Sequence, residues 1–384
     1  MTTRGPLAGI LVVDLSRAVA GPQAAQMLGD LGARVIKIES PDGDDSRRWG
    51  PPFVGGESTY FLSINRNKES VVLDLKTDDG RSALAALIER ADVLIENFRV
   101  GTLARLGFDD ARIHELNPRA ILLSITGFGH DGPEATRPGY DQIAQGEAGL
   151  MSVTGSGSDD PQRVGIPIAD VLAGMNGAFG IVAALVDREK TGKGQIIRTS
   201  LLAATVGAHV YQGTAQTVAG VSGTARGNHH PSLAPYGLFH CADSHVQIAV
   251  GTEGHWAALC RVLDLKADSR FDTNAGRVTF VDDLIAVING SLSTWTVGDV
   301  LEALTAVGVP AGKVRSMDEV YSWDQTRSQG LVVTVNHSTL GTIDIPGPPL
   351  RWFDGATEVT PTHHTAPPTL GEHTNAVLRW LADD

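Results

Sequence analysis

Through the first third of the chain, short apolar runs alternate with amphipathic stretches. Ile10–Leu15 is an apolar run of buried-strand type, and Gly21–Leu31 reads as a helix closed by Gly32. Val35–Glu39, Val71–Leu75, Val93–Glu96 and Ala120–Thr126 repeat the strand pattern. Between Val71–Leu75 and Val93–Glu96, Asp79–Arg90 places Leu84, Leu87 and Ile88 at helical spacing, continued by Ala91. Strands separated by helices predict right-handed crossovers and a parallel sheet covered on both faces. Ligands of such sheets sit beyond the carboxyl ends of the strands, which directs attention to Ser16–Ala20, Ser40, Asn97–Arg99 and Gly127–Gly132.

From Met151 the texture changes. Thr154–Asp160 is a Gly/Ser/Asp loop, and Pro167 then introduces a helix running to about Asp187. Leu172, Met175, Phe179, Val182 and Val186 give that helix an apolar stripe, while Gly174, Gly177 and Gly180 permit close approach on another face. Gln195–Arg198 reads as a strand, Gly220–Pro235 as a turn-rich linker, and Tyr236–Val250 as a hairpin turning at Ala242–Ser244. Helical segments follow to about Asp324, then an extended stretch, Val332–Leu350, and a closing helix, Glu372–Leu381. The chain contains no internal repeat.

With 384 residues, 42% hydrophobic and 20% charged, the chain is of ordinary globular composition and long enough for two or three domains. A net charge of −13 argues against a nucleic-acid or anionic-membrane partner. No run approaches the ~18 uninterrupted apolar residues of a membrane helix, and no targeting segment is visible. Cys241 and Cys260 form no CxxC pair, so a reduced, cytoplasmic chain is expected.

Gly127-Phe-Gly-His-Asp-Gly132 matches GxGxxG after a strand, but Pro133 and Pro138 fall where a phosphate-binding helix should open. A nicotinamide site is the weaker reading. The group His240, Cys241, Asp243 and His245 matches none of the usual zinc spacings, and no metal is expected. Arg47, Arg48, Arg66, Lys68, Lys76, Arg99 and Arg105 gather in the first half, fitting either a solvated surface or a phosphate-rich ligand. Asp170 lies in the first turn of the helix that Pro167 opens. Acids are common there because the free N–H groups favour negative charge, and the same field would keep a carboxylate nucleophile ionised.

The chain resembles the family III CoA-transferases nearly end to end. The resemblance rests on Leu7-Ala-Gly-Ile-Leu-Val-Val-Asp-Leu15, Ala20-Gly-Pro22, Asp30-Leu-Gly-Ala-Arg-Val-Ile-Lys-Ile-Glu39 and Asn65-Arg-Asn-Lys68. It continues through Leu73-Asp-Leu-Lys76, Ala91-Asp-Val-Leu-Ile-Glu-Asn-Phe98, Asn117-Pro-Arg119 and Gly139-Tyr-Asp141. Thr191-Gly-Lys-Gly-Gln195 and Pro368-Thr-Leu-Gly-Glu-His-Thr374 complete it, and their order and spacing together are highly specific.

For the fold, the resemblance implies a large Rossmann-like α/β domain, with a parallel sheet built from both chain ends, and a smaller inserted α+β domain. The expected division is residues 1–219 with 332–384 for the large domain and 220–331 for the small one. It also implies a homodimer whose subunits interlock as threaded rings. The catalytic aspartate falls on Asp170, and CoA contacts on Val19, Lys76, Asn97, Phe98, Arg105 and Tyr140. Gly251-Thr-Glu-Gly254 sits where relatives carry a glycine-containing loop near the thioester. The implied activity moves CoA from an acyl-CoA donor to a carboxylic acid acceptor through an aspartyl-CoA intermediate. CoA serves as substrate, with no metal, nucleic acid or membrane involved. Val19 replaces the glutamine of formyl-CoA:oxalate enzymes, which speaks against oxalate. The alternatives are an α-methylacyl-CoA racemase and a non-catalytic CoA-binding protein. Tyr140 stands where the racemases carry histidine, and a tyrosine of pKa ~10 is a poor base for the α-proton.

Overall fold

The computed structural model describes residues 5–383. The chain divides into two compact units, each described by itself.

The larger unit runs through Leu150 and includes Val164–Val221 and the chain from Asp324 onward. Its centre is a six-stranded parallel sheet of β1 (Leu11–Asp14), β2 (Arg34–Glu39), β3 (Lys68–Val72), β4 (Val93–Glu96), β5 (Ile121–Thr126) and β6 (Ile196–Ser200). The spatial order is β3-β2-β1-β4-β5-β6, the doubly wound order with its switch point between β1 and β4. Both central strands are apolar runs buried on both faces, as crossover helices require: Val13 lies between Ile36 and Leu94 in the ladder.

One face is covered by α1 (Ala20–Asp30), α4 (Ile168–Thr191) and α5 (Leu201–Gly207), whose alanines pack with Val12, Ile95 and Leu123. The other carries α2 (Asp78–Arg90) and the C-terminal α10 (Thr374–Ala382) over Val13, Ile36 and Leu94. Between these elements in the chain come α3 (Asp141–Glu147), just before α4, and α6 (Val210–Ala219), just after α5. α2 forms where Thr77 caps the Gly80 N–H, and Asp78 and Asp79 complement the helix dipole. α4 is apolar and long enough to cross a bilayer, but its small residues are packed into this core.

The sheet is not built from both chain ends. All six strands lie between residues 11 and 200, and the C-terminus contributes a helix instead. The edge of β3 is occupied: Ser70 N–H donates to His373 Nδ1 (3.3 Å), Val72 N–H to Thr374 Oγ1 (3.0 Å), and His373 N–H to the Ser70 carbonyl (2.9 Å). β3 also starts at Lys68, earlier than the apolar run Val71–Leu75 predicts, because a fully buried ammonium sits at its start. The expected extended stretch Val332–Leu350 holds a hairpin of β10 (Val332–His337) and β11 (Gly341–Pro346).

The smaller unit comprises Met151–Arg163 and Ser222–Trp323. It holds a three-stranded antiparallel sheet, β9-β8-β7, of β7 (Tyr236–His240), β8 (His245–Ala249) and β9 (Ala311–Lys313). Its helices include α7 (Glu253–Val262), α8 (Val281–Leu292) and α9 (Val297–Ala306), around Phe239, Leu259 and Ile288. Residues 151–163 group here rather than with the larger unit. Backbone bonds explain it: Ala225 N–H donates to the Ser152 carbonyl and Gly227 N–H to that of Gly155.

Candidate active site

The turn between β1 and α1 is braced from below by buried charge. Lys68 Nζ lies 3.0 Å from Asp14 Oδ2 and donates to the Pro22 carbonyl at 2.9 Å. Lys37 pairs with Asp44 at 2.8 Å and donates to the Ser16 carbonyl at 2.9 Å. Asp44 in turn accepts from the N–H of Ala18, which holds the left-handed conformation with φ +64°. At Gly21 a Cβ would sit 2.2 Å from that of Ser16, so only glycine lets the turn pass. Burial alone would raise the Asp14 carboxyl, but Lys68 and Lys37 hold it below its ordinary value. Burial lowers Lys68 to about 8 against the attraction of Asp14.

Above this turn stands Asp170. α4 has Pro167 at its N-cap, which offers no side-chain acceptor, so its first N–H groups need one from elsewhere. Asp141 of α3 supplies it: Oδ1 accepts from Ala169 (2.8 Å) and Asp170 (3.3 Å), while Oδ2 accepts from Gln145 (2.7 Å). The backbone N–H of Ala20, at the start of α1, favours the charged form of the Asp170 carboxylate. Asp170 thus lies in the first turn of one helix and beside the first turn of another. Gly174 lets those helices meet, since a Cβ there would lie 2.6 Å from the Ala20 carbonyl oxygen. Burial, then the charge of Asp141, pushes Asp170 up to about 7 against the Ala20 hydrogen bond. Among the described residues, no cation pairs with Asp170 as Lys68 does with Asp14. Tyr60, half-buried, is raised first by burial and then by Asp170 and Asp141, and its ring meets Trp49 edge-on at 4.9 Å.

Three expected CoA contacts lie around the switch point. Val19 is buried at the N-cap of α1. Asn97 follows β4 and closes on the β1 turn, its Oδ1 accepting from Arg17 N–H (2.9 Å) and its Nδ2 donating to the Arg17 carbonyl (2.8 Å). Phe98 N–H donates to Glu96 Oε2 at 2.8 Å. Tyr140 is the N-cap of α3, beside Asp141, with a side chain 68% exposed. Arg105 is exposed on the helical turn Thr102–Arg105, donating to Thr102 Oγ1. Lys76 is exposed beyond β3, two strands or roughly 10 Å from β1.

The basic cluster does not survive as a unit. Arg66 is bound to Asp30 at 2.5 Å, Arg47 to Glu39 at 2.7 Å and Lys68 to Asp14, all inside the fold. Arg48 pairs with Asp45 at 2.9 Å. A buried cation and a ligand-facing one have the same residue pattern, and only the partner distinguishes them. Among the other singled-out groups, Gly127–Gly132 opens no helix: Gly127 is a site of close approach to Gly139. His240 and His245 face each other across β7 and β8 with ring centroids 4.5 Å apart, and Asp243 accepts from Val297 N–H at the start of α9. Gly251 precedes Thr252, which caps α7 within the smaller unit. Sequence reasoning missed Tyr60, the capping role of Asp141 and the Ala20 N–H. The missing cap of α4 was the available signal for the second.

The chain matches CoA-transferase family III across residues 7–374. It is 36% identical over 378 residues to human succinyl-CoA:glutarate CoA-transferase, covering 97% of this chain and 85% of that protein. Succinate–glutarate CoA-transferase of Agrobacterium fabrum is 39% identical over 389 residues, covering 98% and 96%. The crystal structure of a CAIB/BAIF family protein from Brucella suis superposes with a TM-score of 0.87 at 38% identity, covering 98% of this chain and all of that one. The chain belongs to CoA-transferase family III. It is a CoA-transferase, and its substrates are acyl-CoA thioesters and carboxylic acids.

Proposed function

We propose that the enzyme moves CoA between short dicarboxylic acids, of the succinyl and glutaryl class, with Asp170 as the acyl carrier. The observation that carries this reading is the part-buried Asp170 carboxylate in the first turn of α4, beside the start of α1 and, among the described residues, without an ion-pair partner. The names of the relatives that match nearly the whole chain support the acid class.

Asp170 attacks the thioester carbonyl of the donor, expelling CoA thiolate and forming a mixed anhydride. The thiolate attacks the aspartyl carbonyl of that anhydride, releasing the donor acid and leaving an aspartyl-CoA thioester. The acceptor carboxylate displaces the thiolate from it, giving a second anhydride. Thiolate attack on the new acyl group completes transfer and frees Asp170. Each step exchanges one acyl bond for another, so exclusion of water decides whether CoA is transferred or hydrolysed. Binding of CoA falls to Val19, Asn97, Phe98 and Tyr140, with Lys76 and Arg105 on the phosphates. Doubly wound sheets bind ligands at the switch point, which supports the first three.

The working form is a homodimer of interlocked subunits in the cytoplasm. Phe179, 75% exposed, with Met175, Val186, Val210 and Val218 on α4 and α6, is apolar surface that supports a second copy, and two free cysteines support a reduced compartment. Sedimentation at nanomolar concentration should then show no folded monomer; a reversible one would contradict threading.

Asp170→Asn should lower transfer by roughly 10³-fold or more while CoA still binds. Wild type mixed with succinyl-CoA should show a covalent CoA adduct by intact mass. Near-normal turnover by the variant would end the proposal.

A further inference from the structure

The switch point holds a cation that sequence reasoning passed over. Arg17 follows β1, and Asn97 clamps its backbone on both sides, at 2.9 and 2.8 Å. Its guanidinium carbon lies 5.5 Å from the centroid of the Phe98 ring. Phe98 is fixed by the bond from its N–H to the buried Glu96. The side chain of Arg17 remains 48% exposed, and among the described residues its one ion-pair contact is Asp45 at 4.0 Å. Asp45 has a closer partner, Arg48, at 2.9 Å. Arg47, Arg66 and Lys68 are consumed by internal acids, whereas Arg17 presents its charge outward from a rigid backbone.

Resting on the CoA-transfer reading above, we infer that Arg17 is a further CoA-binding residue that meets a phosphate oxyanion of the nucleotide at the β1–β4 crevice. Three features support it. The crevice at a switch point is where doubly wound sheets receive nucleotides. A guanidinium matches two phosphate oxygens at once, and the contact at 4.0 Å leaves its donors available. The Asn97 clamp and the Phe98 ring fix the side chain's origin before binding, so little order is lost when the phosphate arrives. The same clamp gives Asn97 a task beyond touching CoA: it holds Arg17.

The test compares Arg17→Ala, Arg17→Lys and Arg105→Ala by calorimetry with CoA, 3′-dephospho-CoA and pantetheine, and by KM for succinyl-CoA. Arg17→Ala should weaken CoA about 10–150-fold, with KM rising far more than kcat falls. Arg17→Lys should recover part of the loss. The loss should vanish with 3′-dephospho-CoA if the partner is the 3′-phosphate. If the partner is the pyrophosphate, it should persist there and vanish with pantetheine. Unchanged CoA affinity in Arg17→Ala, or an equal loss with pantetheine, overturns the assignment. Arg105→Ala separates the two levels: weakened binding there with none in Arg17→Ala refutes Arg17 alone. If neither variant loses affinity, the CoA site itself is misplaced. Unaltered thermal unfolding of Arg17→Ala keeps a binding loss from being ascribed to misfolding.

Discussion

Asp14 and Asp170 flank the same turn and meet opposite fates. Asp14 is fully buried, yet Lys68 and Lys37 hold its carboxyl below the ordinary range. Asp170 is less enclosed, yet pairs with no cation among the described residues, feels the charge of Asp141 and rises to about 7. Burial pushes both upward, and the neighbouring charge decides the outcome. The paired carboxylate is architecture. The unpaired one, the carboxylate proposed as acyl carrier, has only a backbone N–H to favour its charged form.

Breaking the Asp14 side should have the largest effect. Lys68→Met removes the ion-pair partner of the buried Asp14, leaving Lys37 and Ser16 to hold its charge, and should cost about 3–5 kcal/mol of stability, read by denaturant unfolding. Adding Asp14→Leu should recover much of that loss, and a single variant as stable as wild type would mean the pair contributes nothing.

Next comes the fit between α1 and α4. Gly174→Ala places a methyl 2.6 Å from the Ala20 carbonyl oxygen, so the helices must separate and Asp170 must leave its Ala20 N–H. A fall in kcat on the order of 10–100-fold is expected, with KM little changed. A fall confined to KM would show that the spacing serves binding instead.

Asp141→Asn keeps the acceptor that caps α4 but removes the like charge. The acid limb of kcat/KM, which should rise through about pH 7 in wild type, should then move to lower pH. An unmoved limb would assign the titration to another group.

The smallest effect concerns stability. Because folding raises Asp170 from 3.8 to about 7, the native state binds the proton more tightly than the unfolded chain does. Its contribution is intact below about pH 4 and is lost as pH rises through 7. Asp170→Asn, inactive, should therefore melt a few degrees above wild type at pH 8, with the difference closing by pH 4. A constant difference would exclude titration of Asp170 as its cause.

The strands were legible because buried parallel strands are unbroken apolar runs, and β4 has the bounds its pattern predicts. Asp170 was legible as a first-turn acid, though only the family resemblance marked it among others of that kind. What sequence could not show was pairing. Arg17 and Arg47 are equally basic residues, but one is tied bidentately to Glu39 and the other faces solvent over Phe98. Nor could it show that a helix, not a strand, would meet the edge of β3. That contact joins residues about 300 positions apart, beyond the reach of any local pattern.

That long-range contact sets a schedule for biosynthesis. On the ribosome, β3 emerges with its outer hydrogen-bonding groups unguarded, and the segment that covers them is made some 300 residues later. At ~5–20 residues per second, the nascent sheet waits about 15–60 s with a bare edge. For that interval a neighbouring chain can add a strand where His373 and Thr374 belong.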